Sequence, residues 1–288
     1  MSDGVSVKGL RGAAEAGSAS RMAEALLAMF EHIGGLADKV QWVHRHVTAD
    51  LSGPLDASLE RAGAAVAAAI DADPSRFDRH GYHNRQHFCE VALAAYGLCM
   101  LNRIDTGSTQ LVLLAALAHD FIHEGSAKPG FVQERASVAS LGPLLEAGGM
   151  DAAQIARLAT LVLATEPIAG TAFMAAACQA HAHDTPVALA APADAPELAA
   201  LAADAELAAL ARLLCAADVL PSLGLGEAHA LRLQDRLAVE WRRPLTRADK
   251  LAFMDGVLRL DYIDRLFRPA VEALRAALSP PPHAAPIG

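Results

Sequence analysis

Apolar residues recur along this chain at three- and four-residue spacing, with no extended Val/Ile/Thr alternation of the kind a half-buried strand shows. That period lines up side chains on one face of a helix, so the pattern predicts helices rather than sheet. Met22–Ile33 and Leu36–Ala49 carry it on either side of Gly34-Gly35, a C-cap and turn signal. Leu55–Ile70 carries it again and stops before Asp71-Ala72-Asp73-Pro74, whose proline disfavours helix at the preceding residue. Further helices are predicted over His83–Met100, Thr109–Ile122, Glu134–Leu141, Ala152–Thr165 (with Asp151 as N-cap), Glu197–Val219 and Glu227–Arg242. Arg247–Leu278 holds one or two more, and residues 166–196 read as a loop or lid.

These elements divide the chain into a small, polar, flexible leader (1–19), an N-terminal helical cap (20–75), a catalytic region (76–278) and a disordered tail with three consecutive prolines (279–288). The cap packs on the catalytic region to make a single compact domain, and the 288 residues suffice for a well-buried core. Ala- and Leu-rich composition with only 5% aromatic residues supports the all-α reading.

A net charge of −9 argues against a broad nucleic-acid footprint, which needs a basic surface. It leaves room for a small phosphorylated ligand held at a metal, because the ion brings its own charge. No apolar segment follows a basic start, and Leu189–Cys215 is interrupted by Pro192, Asp194, Pro196, Glu197, Asp204, Glu206 and Arg212. The expectation is a soluble, cytoplasmic protein with no membrane partner. Cys89, Cys99, Cys178 and Cys215 form no CxxC pair and sit in apolar surroundings, as reduced core thiols do. A monomer and a homodimer both stay open.

The chemistry lies in three segments: Tyr82-His83-Asn84 with His87, His119-Asp120 with His123, and Asp218 in an Ala-rich helix. Two adjacent ionisable side chains directly after the apolar run Leu111–Ala118 are costly to bury unpaired. Imidazole and carboxylate from neighbouring helices can share one divalent ion and leave positions open for water and substrate.

Tyr82-His83-Asn84-Arg85-Gln86-His87 resembles the Tyr-His-Asn-x-x-His signature of class I 3′,5′-cyclic-nucleotide phosphodiesterases, members of the HD superfamily of metal-dependent phosphohydrolases. Leu117-Ala118-His119-Asp120-Phe121-Ile122-His123-Glu124-Gly125 resembles their His-Asp-x-x-His-x-Gly segment. Leu161–Glu166 is similar to their Leu-Ala-Thr-Asp, Ala216-Ala217-Asp218 to their metal-ligand helix, and Asp235–Trp241 to a segment ending in Glu and an aromatic. The resemblance covers roughly residues 80 to 275 in the family's order. It implies an HD-type helical bundle with an N-terminal helical extension, and hydrolysis of a small phosphoester, a cyclic nucleotide among the candidates.

Carried over, the resemblance implies a metal held by His87, His119, Asp120 and Asp218. It implies His83 as general acid oriented by Glu240, His123 against the ligand shell or the substrate phosphate, and Glu134 hydrogen-bonded to that shell. Tyr82 and Thr165 are expected beside the substrate. The cofactor is one or two divalent ions of Zn, Mn, Mg or Fe. Two departures stand out. No His follows Ser137-Val138, where the family organises its second metal, and Arg259 and Tyr262 replace the Gln and Phe of the purine clamp. A guanidinium only donates hydrogen bonds, whereas an amide also accepts them. Two rival readings are an HD-scaffold di-iron oxygenase drawing on His181 or His183, and a non-catalytic HD regulatory module.

Overall fold

In this computed structural model, which describes residues 6–126, 128, 130–183 and 189–279, the chain is all-α. The first group of helices is α1 (Val7–Glu15), α2 (Ala19–Gly34), α3 (Lys39–Asp50), α4 (Ala57–Ala72) and the single turn α5 (Pro74–Phe77). Next come α6 (Arg85–Leu101), α7 (Thr106–Ala118), α8 (Val132–Ala147), α9 (Ala152–Ala164) and α10 (Ala169–Ala182). A 3-10 turn (Pro196–Leu198) leads to α11 (Ala199–Ala203), α12 (Ala205–Leu223), α13 (Glu227–Glu240), α14 (Arg247–Leu260) and α15 (Arg268–Leu278).

Three helices have almost no polar face. Every residue of α6 from His87 to Cys99 is buried, as is α7 from Thr109 to Ala118 and most of α12 from Leu207 to Leu223. A helix apolar all round belongs at the centre of a bundle. α6 accordingly lies against α1, α2, α3, α7 and α12, while α12 also meets α9, α10 and α13. Each of the three chemistry-bearing segments thus sits at the end of, or on, one of these central helices. Among the described residues no single helix is long and apolar enough to cross a bilayer.

Four local expectations are corrected. Val7–Glu15 is a helix within the stretch read as a flexible leader: Val7, Leu10, Ala13 and Ala14 are buried against α2 and α6. Arg11 anchors it, its guanidinium bonding Asp50 and Tyr96. The apolar 7-10-13-14 spacing is obscured by surrounding Gly and Ser. Within residues 166–196, read as a loop or lid, Ala169–Ala182 forms α10. Its start is made by the Glu166 carboxylate, which accepts N–H bonds from Ile168 (3.1 Å), Ala169 (2.5 Å) and Gly170 (3.0 Å). Those are the orphan donors of a helix N-terminus. Asp204 breaks the predicted Glu197–Val219 helix, taking extended backbone and capping Leu207 N–H (3.0 Å), and α12 runs on to Leu223 through Pro221. Finally, α6 begins at Arg85, so His83 precedes it. The expected tail falls outside the described residues from 280 onward.

Leu10 is fully buried between α1, α2 and α6. Leu10→Ala is expected to lower stability by about 2–5 kcal/mol in denaturant unfolding, the range for a core leucine leaving a cavity. A stretch behaving as a leader would show no change.

Candidate metal centre and its acid–base cluster

The turn before α6 is shaped by one asparagine. Asn84 is the N-cap: its Oδ1 accepts the N–H of Gln86 (3.0 Å) and His87 (3.2 Å), and its Nδ2 donates to the carbonyls of His80 (3.2 Å) and Gly81 (3.0 Å). Capping preference outweighs the period that predicted a helix starting at His83. His87 stays in the first helical turn, and His83 projects from the turn ahead of it.

α7 ends at Ala118, earlier than the predicted Ile122, with His119 as C-cap and Asp120 in the following turn. Ser137 of α8 holds that turn, its Oγ accepting Ile122 N–H (2.8 Å) and donating to the His119 carbonyl (3.4 Å). Gln133 accepts Glu124 N–H (2.8 Å) and donates to the Ser126 carbonyl (3.1 Å). Gly125 has φ +74°, and a Cβ there would lie 2.6 Å from His80 Nδ1. Both the dihedral and the space call for glycine.

From these supports four side chains converge. His87 Nε2 is 3.3 Å from Asp120 Oδ2 and 3.3 Å from Asp218 Oδ1. His119 Nε2 is 3.1 Å and 3.6 Å from the same two oxygens. Donor atoms each about 2.0–2.2 Å from one ion stand roughly 3 Å apart, so the spacing suits a divalent cation. His119 Nδ1 lies 2.9 Å from the Ala116 carbonyl, which can only accept. Nδ1 therefore carries the hydrogen and Nε2 offers a lone pair. That Nε2 is buried and has no hydrogen-bond partner among the described residues, while it faces two carboxylates. Burial alone would lower the His87 pKa, but the carboxylates override it and push it up to about 9; His119 is raised likewise. Burial opposes the charge of Asp120 and Asp218, yet the imidazoles hold both carboxyls below their ordinary range. The set is built to share positive charge, and a divalent ion fits it.

A second cluster abuts the first. Glu240, the last residue of α13, accepts the backbone N–H of Tyr82 (2.8 Å) and His83 (2.9 Å), and lies 2.5 Å from His83 Nδ1. Burial works against its charge, but these bonds hold the carboxyl down at about 2. His83 Nε2 points toward the ligands, 3.9 Å from Asp120 Oδ2. His123 stacks on His83 with ring centroids 3.6 Å apart, and burial pulls its pKa down to about 4. Its Nδ1 accepts Gly125 N–H (3.1 Å), which leaves Nε2–H as a donor. Tyr82 packs on His83 and His87 and bonds Ser222 through its hydroxyl (3.0 Å).

Other expected site residues stand apart from this bonded network. Thr165 donates its hydroxyl to Val162 O (2.7 Å), one turn back in its own helix. Arg259 is exposed on α14, and Tyr262 is buried in the core with a phenol that burial pushes upward. Glu134 Oε2 is buried with no hydrogen-bond partner among the described residues, and burial, with Asp120 and Glu166 nearby, raises its carboxyl to about 7. His181, half-buried, lies 2.8 Å from the Leu201 carbonyl and does not join either cluster. Asn84, Ser137 and Gln133 were the roles that residue patterning missed. Only Asn84 carried a signal, an N-cap residue directly ahead of a helix.

No protein-family profile matches the chain, and no curated protein does. Among solved structures it is similar to the phosphodiesterase domain of the RhoPDE fusion protein from the choanoflagellate Salpingoeca rosetta. The similarity has a TM-score of 0.54 at 16% identity and covers 88% of this chain and 90% of that one. The shared feature is the fold.

A ligand that binds only the folded state stabilises it by about 2.7 kcal/mol at a hundred-fold excess over its dissociation constant. Added Mn or Zn is expected to raise the unfolding midpoint of wild type accordingly and to leave an Asp120→Asn/Asp218→Asn variant unmoved. An equal rise in both would place the ion elsewhere.

Proposed function

We propose that this chain is a divalent-metal-dependent phosphohydrolase that cleaves a small phosphoester, cyclic nucleotides among the candidates. The observation that carries the reading is the meeting of His87, His119, Asp120 and Asp218 with the free nitrogen of His83 facing them. Bound at these four residues, a divalent ion supplies Lewis-acid activation of water and neutralises charge on the phosphoryl group.

The chain's own residues divide the remaining work. Asp120 and Asp218, held ionised, and His87 and His119, through their Nε2 atoms, keep the ion and hence the phosphoryl group in place. His83 is the general acid. Glu240 stays anionic and fixes the His83 Nδ1–H, which leaves Nε2 as the nitrogen that hands a proton to the departing oxygen. Glu240 also ties down the backbone of Tyr82 and His83, so the acid is positioned by its main chain as well as its ring. His123, neutral and stacked on His83, offers Nε2–H to a phosphoryl oxygen. The fold neighbour's phosphodiesterase activity supports this reading. The purine clamp of the resemblance does not carry over, because Arg259 is exposed and Tyr262 buried.

General-acid catalysis is worth roughly 10²–10⁴-fold, and only where the leaving oxygen needs a proton. His83→Gln is therefore expected to cut kcat by that factor on an alkyl phosphodiester such as a cyclic nucleotide. On bis(p-nitrophenyl) phosphate, whose leaving group departs unprotonated, the loss should be several-fold at most. Equal losses on both esters would remove His83 from the role of acid.

A further inference from the structure

A cleft of about 1240 Å³ opens beside Glu240, and the proposed chemistry does not use it. Arg79 stands on one wall, from the turn that precedes His83, and Trp241, Arg242 and Arg243 on the other, from the end of α13. Its two acids are engaged: Glu124 pairs with Lys128, and Glu240 is occupied by His83 and two backbone N–H groups. Among the described residues, only Arg243 of these arginines meets a carboxylate, Asp249 at 3.5 Å on the exposed side. Three arginines thus line one hollow in a chain of net charge −9.

The end of α13 is shaped to deliver them. Arg242 adopts φ +52°, a conformation that favours glycine, closed by its N–H to Val239 O (3.2 Å) and by Arg243 N–H to Ala238 O (3.2 Å). Arginine at a helix C-terminus offsets the dipole, which accounts for a charge there but not for Arg79 facing it from another element. Trp241 also lines the cleft, and the Arg243 guanidinium lies 5.3 Å from its ring centroid. Planar donor forks are what a multiply charged oxyanion matches.

We propose that this cleft is an anion subsite that takes a second phosphate of the substrate, so that the preferred phosphoesters carry another phosphate beyond the one cleaved. Glu240 lines the cleft and also holds His83, so the cleft adjoins the cluster beside the candidate metal centre. The proposal rests on the phosphohydrolase reading for its reacting end only.

The test compares thymidine 5′-(p-nitrophenyl phosphate) with the same ester bearing a 3′-phosphate, on Mn-loaded protein. Wild type should favour the 3′-phosphorylated ester by at least tenfold in kcat/KM, chiefly through KM. Arg242→Gln/Arg243→Gln should bring the ratio close to one. Arg79 is left intact, because it also bonds the His123 carbonyl (3.2 Å) and His80 (2.9 Å). A ratio near one in wild type, or one that survives in the variant, overturns the subsite.

A binding measurement separates this from failure of the hydrolase reading. The chain has two tryptophans, so Trp42→Phe leaves Trp241 as the sole reporter. Its fluorescence should report thymidine 3′,5′-bisphosphate at least tenfold tighter than thymidine 5′-monophosphate, a difference that Arg242→Gln/Arg243→Gln abolishes. That result without turnover of either ester keeps the subsite and removes the hydrolase reading. Equal affinities, or no binding, overturn the subsite.

Discussion

Two buried imidazoles facing two half-buried carboxylates are the constraint on which this structure turns. His87 and His119 project Nε2 toward the same oxygens of Asp120 and Asp218, inside a bundle whose surrounding helices are apolar on nearly every side. A buried polar atom left unpaired costs about 1–3 kcal/mol, and a charged one more. His119 makes the requirement explicit, because its other nitrogen is committed to the Ala116 carbonyl. The four groups are compatible only with positive charge between them, as shared protons or as a cation. The central helices supply the rigidity that keeps them from relaxing apart.

Glu240 has the corresponding role in the adjoining cluster. It reaches across from α13 to the turn at Tyr82-His83, satisfies two backbone donors and fixes one imidazole tautomer. The fold of this turn and the orientation of the His83 ring therefore depend on one carboxylate. The two clusters are linked through His83, whose ring and neighbours belong to one and whose Nε2 faces the other. On the other side of Glu240 lies the arginine-lined cleft.

Much of this was legible in the sequence where local chemistry and helical period agree. Asp151 predicts its helix and forms a capping box with Gln154, and Asp73-Pro74 ends α4 as the proline requires. The family resemblance implied that His119-Asp120 meets His87 and Asp218, and the structure brings the four side chains together. What failed did so where tertiary packing or capping prevailed over period. Val7–Glu15 is too short and Gly-rich to declare itself, and it is stabilised by α6 and by Arg11 on Asp50 and Tyr96. α10 depends on a Glu166 carboxylate that lies before the helix and reads as an ordinary acid. The arginine cleft could not be read at all, since Arg79 and Arg242 are more than 160 residues apart.

The central claim, that the His87, His119, Asp120 and Asp218 centre holds a cation that makes this chain a phosphohydrolase, is tested most directly by one comparison. Hydrolysis of bis(p-nitrophenyl) phosphate is measured on chelator-stripped protein, on protein reloaded with Mn, and on an Asp120→Ala variant, with metal content determined on the same samples. The account predicts release that appears with metal and vanishes in the variant along with the bound ion. Stoichiometric metal without release in wild type, or release that survives loss of Asp120, would contradict it.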